Sequence, residues 1–181
     1  MRRITYALLI PFLLALAAPD EKTYDLIHTK RAATILTLSA KQKLLESTNE
    51  LSAAAGGKRM LKSNHGTYIR LAYGRKRKVD LMRGEPRESE HWYVEDWRGK
   101  VVFKSTHSPG RFLRALPSGK VDLVPTHPHN CPALMWKPFR NSDDTWSFLS
   151  IHGTWLSGLK NGVVRCMLER KCSEKFTLPW W

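Results

Sequence analysis

Hydrophobic and polar positions alternate along most of this chain, from Lys58 to the C-terminus. Phe103, Phe112 and Phe148 are separated by polar or small residues, and turn-forming residues recur at short intervals. A period of two with frequent turns is typical of strands that bury one face. The pattern therefore predicts a β domain over residues 58–181, with Trp155 in its core beside the three phenylalanines.

One segment of this pattern occurs three times. The copies are RMLKSNHGTYIRL (59–71), VVFKSTHSPGRFLRA (101–115) and WSFLSIHGTWLSG (146–158). Each contains an apolar strand, a Ser, a His, a turn of small residues and a second strand with a bulky residue. Units that repeat in this way bury a core only when they pack together. Because His65, His107 and His152 recur with the turn, we expect them to stabilise it.

Two further strands are predicted after each copy. The first of them covers residues 78–82, 120–124 and 163–167, and the second covers residues 91–94, 134–136 and 176–178. Three copies of four strands predict an all-β fold. We interpret it as a β-trefoil, in which a closed barrel with a hairpin cap removes free sheet edges.

The N-terminal region has a different character. Residues 1–17 contain Arg2 and Arg3, an apolar run and the small-residue site Ala15-Leu16-Ala17, which is typical of a secretory signal peptide. Residues 18–57 carry apolar residues at mixed helical spacing and end in Ala-Ala-Ala-Gly-Gly. We expect a weak helix or a flexible extension there. A secreted, extracellular protein without stable membrane insertion is the resulting expectation.

The charge of the chain is strongly basic. Its 30 Lys and Arg against 16 Asp and Glu give a formal net charge of +14. Residues 18–57 hold equal numbers of acidic and basic residues, so the excess lies on the β domain. A compact basic domain attracts polyanions through a long-range field that salt screens. Outside a cell the expected polyanion is a sulfated glycosaminoglycan rather than nucleic acid.

The three cysteines do not form a dense disulfide framework. Cys166 and Cys172 are close enough in sequence to close one small loop, and we expect a disulfide between them. Cys131 stands apart and is expected to be buried. His127 and His129 precede it, but no partner pair has metal-ligand spacing, so we expect no metal site.

The β domain resembles the fibroblast growth factors. That family has a first-repeat run of the form R-L-Y-C-x-N-G-G-F-F-L-R-I, which residues 59–71 match without a gap. Its second repeat has Val-Val, then Arg-Tyr-Leu and a Cys, and this chain has Val101-Val102, Arg111-Phe112-Leu113 and Cys131. Its third repeat ends in Leu-Pro, as Leu178-Pro179 does here. The resemblance covers residues 59–181.

The resemblance implies a secreted signalling ligand that binds heparan sulfate or heparin and the ectodomain of a receptor tyrosine kinase. The implied heparin-binding residues are Asn64, Lys160, Arg165, Arg170, Lys171 and Lys175. The implied receptor contacts are Leu61, Leu178 and Trp180. The chain departs from the family at Met135 and Ser142, where the family has a receptor-contacting Glu and Tyr. A divergent member is therefore expected.

Two alternative binding modules compete with the growth-factor interpretation. Residues 150–157 (SIHGTWLS) fit the repeats of fascin-like, actin-crosslinking trefoils, and a lectin-like trefoil is the third class. The lectin Q-x-W signature is absent. No catalytic motif occurs, so we expect a binding protein rather than an enzyme, with no cofactor. A basic run at 75–78 is a further candidate for polyanion binding or nuclear localisation.

Overall fold

The computed structural model describes residues 21–72 and 78–181. The predicted signal peptide at residues 1–17 and most of the basic run at 75–78 lie outside these described residues. Within them, no helix combines the length and the apolar character that a membrane span requires.

A single long helix precedes the strands. Helix α1 covers Glu21–Ala55, where a weak helix or a flexible extension was expected. The helix is continuous because good helix formers dominate and no Pro or Gly interrupts them before Gly56. The chain divides into two compact units at residues 41 and 42, so the last turns of α1 belong to the same unit as the strands. In the first unit, Ile35, Leu36 and Leu38 are exposed.

The strands follow one another along the rest of the chain. They are β1 (Gly57–Met60), β2 (Lys62–Ser63), β3 (Tyr68–Leu71), β4 (Val79–Met82), β5 (His91–Asp96), β6 (Val101–Ser105), β7 (Phe112–Ala115), β8 (Val121–Val124), β9 (Lys137–Arg140), β10 (Trp146–Leu149), β11 (Trp155–Gly158), β12 (Val164–Met167) and β13 (Phe176–Thr177). The prediction of a β domain is confirmed, and the all-β class needs the addition of α1.

All strand pairs are antiparallel and form two sheets. One has the order β1-β5-β6-β7-β8, and the other has the order β12-β11-β10-β13-β2-β3-β4, with β9 beside β10. The predicted strand at 134–136 is confirmed only at Trp136, which forms an antiparallel bridge with Val101. Pro132 starts a short 3₁₀ helix that ends at Leu134, and the strand begins only at Lys137. The first predicted strand of the domain is divided into β1 and β2.

Three hairpins, β3–β4, β7–β8 and β11–β12, contact one another at one end of the fold. In their registers, Ile69 lies opposite Leu81 and Leu113 lies opposite Leu123. Isolated bridges join the hairpins in pairs, at Lys78–Asp122, Asp80–Val163 and Lys120–Arg165. The backbone N–H of Leu81 donates to Gly162 and that of Cys166 donates to Gly119, at 3.0 and 2.7 Å.

The predicted aromatic core is present with one exception. Phe103 and Phe148 are fully buried with their rings 4.9 Å apart, and Phe112 is buried. Trp155 is only half-buried, because it starts β11 at the surface. Trp92 was not singled out from the sequence, yet it is fully buried.

The recurring turns are stabilised by hydroxyl groups. The side-chain oxygens of Ser63 and Thr67 lie 2.7 Å apart, and those of Ser150 and Thr154 lie 2.8 Å apart. The backbone N–H of His152 donates to the Ser150 hydroxyl. Such Ser side chains satisfy the backbone of a tight turn. The repeated Ser therefore stabilises each turn from within. The His152 ring lies 3.3 Å from the Ala115 carbonyl oxygen and so joins its turn to the second repeat.

The end of α1 packs into the fold. Ala55 and Ser52 are fully buried, and Ala55 belongs to the main core. The Ser52 hydroxyl donates to the Asp96 carboxylate, and its oxygen also lies 3.1 Å from the Lys100 carbonyl oxygen. Arg59 donates to the carbonyls of Gly56 and Leu178, both at 3.0 Å, so one side chain joins the helix end to the C-terminal segment.

Candidate functional site

The segment after β12 is anchored by a buried carboxylate. Glu174 is 3% exposed, and its Oε2 accepts the backbone N–H of Lys171 at 2.7 Å. Its Oε1 accepts the hydroxyl of the buried Ser157. Because an unpaired carboxylate is costly to bury, these bonds hold residues 171–174 in one conformation. The backbone that carries Lys171 is thereby held in place.

Four cations, three from residues 170–175 and Arg140 from β9, surround one open cleft of about 570 Å³, which we call the basic cleft. It is lined by Arg140, Asn141, Ser142, Arg170, Lys171, Cys172 and Lys175. The Arg170 guanidinium lies 4.9 Å from the centroid of the Trp155 ring and 5.9 Å from that of Phe139. Stacking of this kind orients the guanidinium while leaving its donors available.

Carboxylates balance the other cations of the basic cleft. Lys175 Nζ lies 2.6 Å from Asp143 Oδ2, and Lys171 Nζ lies 2.6 Å from Glu169 Oε2. The hydrogen bonds from Lys175 and Thr145 lower the pKa of Asp143 to about 2. Exposed pairs of this type contribute little net free energy. They therefore offset the charges of Lys171 and Lys175 but not that of Arg170.

A second groove lies where the three hairpins meet, and we call it the cap groove. Its volume is about 380 Å³. It is lined by Lys78, Val79, Ser118, Gly119, Lys120, Val121, Val163, Val164 and Arg165. Among the described residues, none of its three cations forms a salt bridge.

A third groove, of about 620 Å³, lies between the other two, and we call it the central groove. It shares Ser118, Gly119 and Arg165 with the cap groove and Lys171 with the basic cleft. Its remaining lining is mixed, with Leu159 and Met167 beside polar groups.

The predicted heparin-binding residues separate into two groups. Arg170, Lys171 and Lys175 line the basic cleft, and Arg165 lines the central and cap grooves. Asn64, in the β2–β3 turn, lines none of these grooves, and neither does the exposed Lys160.

The predicted receptor contacts are corrected at two of three positions. Leu61 is fully buried and Leu178 is 9% exposed, because both side chains belong to the core cluster, so they present no surface to a partner. Trp180 is exposed at 64%, and the Arg59 guanidinium lies 3.4 Å from its ring centroid. Its neighbour Trp181 stacks on His91 at 4.5 Å between centroids.

The cysteines are free thiols in this structure, so the expected Cys166–Cys172 disulfide is absent. Cys166 points inward from β12 because it alternates with the exposed Arg165 and Met167, whereas Cys172 is exposed at the start of a 3₁₀ helix. Burial raises the pKa of the Cys166 thiol to about 11. Cys131, expected to be buried, is half-buried.

The imidazoles of His127 and His129 approach Trp97 rather than a third ligand, with ring centroids 5.5 and 4.8 Å from the Trp97 centroid. Over the described ranges, no group of three His, Cys, Asp or Glu side chains is arranged to hold a metal ion.

Arg140 and Lys120 line these grooves and Asp143 pairs with Lys175, but none of the three was among the predicted site residues. Lys78 belongs to the basic run at 75–78, which was a candidate for polyanion binding. Aligning the repeats would have found part of the cap groove. Arg70 pairs with Asp80 in the first hairpin, and Arg114 pairs with Asp122 in the second. The corresponding residues of the third hairpin are Ser157 and Arg165, which lie opposite each other in the register.

Comparison with known proteins gives a likeness of fold. No family model matches the chain, and no curated protein matches it in sequence. Among solved structures, SeviL bound to asialo-GM1 saccharide matches with a TM-score of 0.59 and 18% sequence identity. The match covers 69% of this chain and 98% of that one. SeviL has a β-trefoil-type fold, so the likeness supports the predicted fold type and does not identify the chain as a fibroblast growth factor.

Proposed function

We propose that this protein is a glycan-binding module with a β-trefoil fold, and that its ligand is an acidic, sulfated glycan held in the basic cleft. The observation that carries the proposal is the arrangement of Arg170, which stacks on Trp155 and has no carboxylate partner among the described residues. The likeness to a saccharide-bound trefoil supports the general class. The excess positive charge of the chain favours an acidic ligand.

The chemistry of the cleft suits sulfate groups. A guanidinium donates two parallel hydrogen bonds to an oxyanion, and stacking on Trp155 reduces the entropy lost when it does so. Lys171 and Lys175 contribute point charges on either side. Because each single exposed pair is weak, affinity comes from the cluster.

Because carboxylates pair with two lysines of the cleft, a sulfate group must replace these carboxylates when it binds the lysines. Asp143 and Glu169 occupy Lys175 and Lys171 until a sulfate displaces them. A neutral sugar would not displace these carboxylates, so they favour densely sulfated ligands over neutral ones.

The growth-factor interpretation is weaker than the lectin-like one. The comparisons support a fold that a saccharide-binding protein has, and they give no support for a kinase receptor as partner. The burial of Leu61 and Leu178 also removes two of its three implied receptor contacts. The proposal keeps three expectations from the sequence. The β domain consists of three four-stranded repeats, the protein is secreted after removal of residues 1–17, and it binds its ligand without catalysis.

The proposal is tested by titrating the protein with heparin and with fully desulfated heparin in a calorimeter. We expect the protein to bind heparin but not desulfated heparin. The affinity for heparin should fall about tenfold or more in Arg170→Gln/Lys171→Gln. Lys104→Gln is the matched control, because Lys104 is a cation that lines none of the three grooves. Equal affinity for the desulfated chain, or equal losses in the two variants, would refute the proposal.

A further inference from the structure

The cap groove contains a charge arrangement that the stability of the fold does not require. Arg165 lies opposite Lys120 across an isolated bridge between two hairpins. Like charges directly opposite each other on neighbouring strands are destabilising. Lys78 lies opposite Asp122, but both Asp122 oxygens already accept hydrogen bonds from Arg114, at 2.9 and 2.7 Å. Over residues 21–72 and 78–181, none of the three cations forms a salt bridge with a carboxylate.

The contrast between the hairpins makes this arrangement specific. The first two hairpins carry neutral Arg–Asp pairs, Arg70 with Asp80 and Arg114 with Asp122. The third carries Ser157 opposite Arg165, so a cation stands where the other hairpins have a carboxylate. This reversal directs an unpaired guanidinium into the groove between the hairpins.

The cap groove is also continuous with the proposed glycan site. Arg165 lines both the cap groove and the central groove, and Lys171 lines both the central groove and the basic cleft. The three grooves thus share residues in series, with cations at both ends. The central groove between them is also lined by the carboxylates Glu169 and Glu174. A ligand that fills only the basic cleft leaves the cap cations unused.

From this series we propose that the cap groove is a second anion subsite, and that the three grooves together bind one extended sulfated polysaccharide chain. The inference rests on the proposed function. It specifies in addition that the ligand is long enough to reach a second subsite, formed by Lys78, Lys120 and Arg165. A linear polyanion releases counterions from each cation it contacts, so affinity increases with the number of subsites that it reaches.

A sulfated polysaccharide chain fits the three grooves better than a nucleic acid does. Among the described residues, no aromatic side chain lines any of the three grooves. Single-stranded nucleic acids are usually bound by aromatic side chains on which the bases stack. A ligand recognised through its anionic groups alone needs no such platform.

The test measures the affinity of heparin tetrasaccharides and of long heparin chains for the wild type and for Lys78→Gln/Lys120→Gln/Arg165→Gln. We expect the cap variant to bind the tetrasaccharide as the wild type does. Its affinity for the long chain should fall about tenfold or more, with a shallower dependence on salt. Lys104→Gln serves again as control, and thermal unfolding of each variant verifies its fold.

Three other results would each contradict a different part of the proposal. If the cap variant and the control bind long chains equally well, the cap subsite is wrong while the proposed function stands. If neither heparin length binds the wild type, the proposed function itself fails. If a single-stranded oligonucleotide of equal charge binds more tightly than the long heparin chain, and the cap variant loses that binding, the sulfated-chain assignment is overturned.

Discussion

The indole N–H of Trp92 donates a hydrogen bond to the backbone carbonyl of Ile69, 3.0 Å away in the interior. Trp136 makes the corresponding bond to the carbonyl of Leu113 at 3.2 Å. In both cases the donor lies 23 residues after the acceptor. Each bond joins a hairpin strand to the segment that follows it, so the two tryptophans fix equivalent parts of successive repeats.

Replacing Trp92 with Phe should destabilise the protein by about 1–3 kcal/mol from the unpaired buried carbonyl, plus the lost packing. Urea unfolding followed by circular dichroism measures the change. Trp136→Phe should behave alike, and Trp180→Phe is the exposed control. Equal stability of Trp92→Phe and Trp180→Phe would argue against a role for the bond.

Asp143→Asn should strengthen retention on heparin, because it removes the carboxylate that occupies Lys175. Elution salt from a heparin column measures the effect, with Glu95→Gln as control, because Glu95 pairs with Lys104 outside the three grooves. A lower elution salt for Asp143→Asn would contradict the proposed replacement of carboxylates by sulfate.

Because of the Lys175–Asp143 pair, we expect the effect of Asp143→Asn on heparin retention to change little in mild acid. The pKa of Asp143 is lowered to about 2, so the carboxylate stays charged down to that range. Any stability from the Lys175 pair is present above the unfolded pKa and is lost only as the pH falls towards 2. The elution-salt difference between wild type and Asp143→Asn should therefore be the same at pH 5 and pH 8.

The thiols should differ sharply in reactivity. Iodoacetamide at pH 8 should alkylate the exposed Cys172 quickly and leave Cys166 unmodified until the protein unfolds, because the thiolate is the reactive form and burial raises the pKa of Cys166 to about 11. Mass mapping of the labelled peptides measures this. Rapid labelling of Cys166 in the native state would contradict the burial described here.

The raised pKa of Cys166 also makes the free energy of unfolding depend on pH. The folded state keeps the proton above the pH at which the unfolded thiol loses it. The free energy of unfolding should therefore fall between about pH 9 and pH 11. Cys166→Ala should remove this slope, so the two unfolding curves converge as the pH rises. Parallel curves across that range would contradict the assignment.

Arg165→Gln should raise stability slightly, by about 0.2–1 kcal/mol, because it removes the like charge opposite Lys120. The same change should weaken binding of long sulfated chains. Thermal unfolding and heparin titration of one variant measure both effects, and Arg114→Gln, which breaks a pair with Asp122, should instead lower stability. A destabilised Arg165→Gln would show that the cation has a structural role.

Much of the fold was predictable because burial follows the alternation of residue types. The cores at Phe103 and Phe148 and the hairpins follow from local sequence. The cluster of Arg170, Lys171 and Lys175 was implied by the family resemblance. The buried state of Leu61 did not follow from the resemblance, since family likeness locates a residue but does not show which way its side chain points. The Cys166–Cys172 disulfide was wrong for a related reason, because proximity in sequence says nothing about inward and outward alternation.

The cap groove could not be predicted from any one segment. Lys78, Lys120 and Arg165 come from three separate hairpins, and only their bridges bring them to one groove. The central groove likewise depends on the path of residues 168–173, which the buried Glu174 anchors and no local periodicity indicates.

The packing of Ala55 into the core and the hydrogen bonds of Ser52 extend the stabilising contacts of the β domain beyond the repeats themselves. A fragment of residues 58–181 would contain every repeated segment but would lack the Ala55 side chain and the Ser52 partner of Asp96. Compared in urea, a fragment of residues 42–181 should be the more stable of the two. The last turns of the helix thus complete the packing of the strands with residues that precede the first strand.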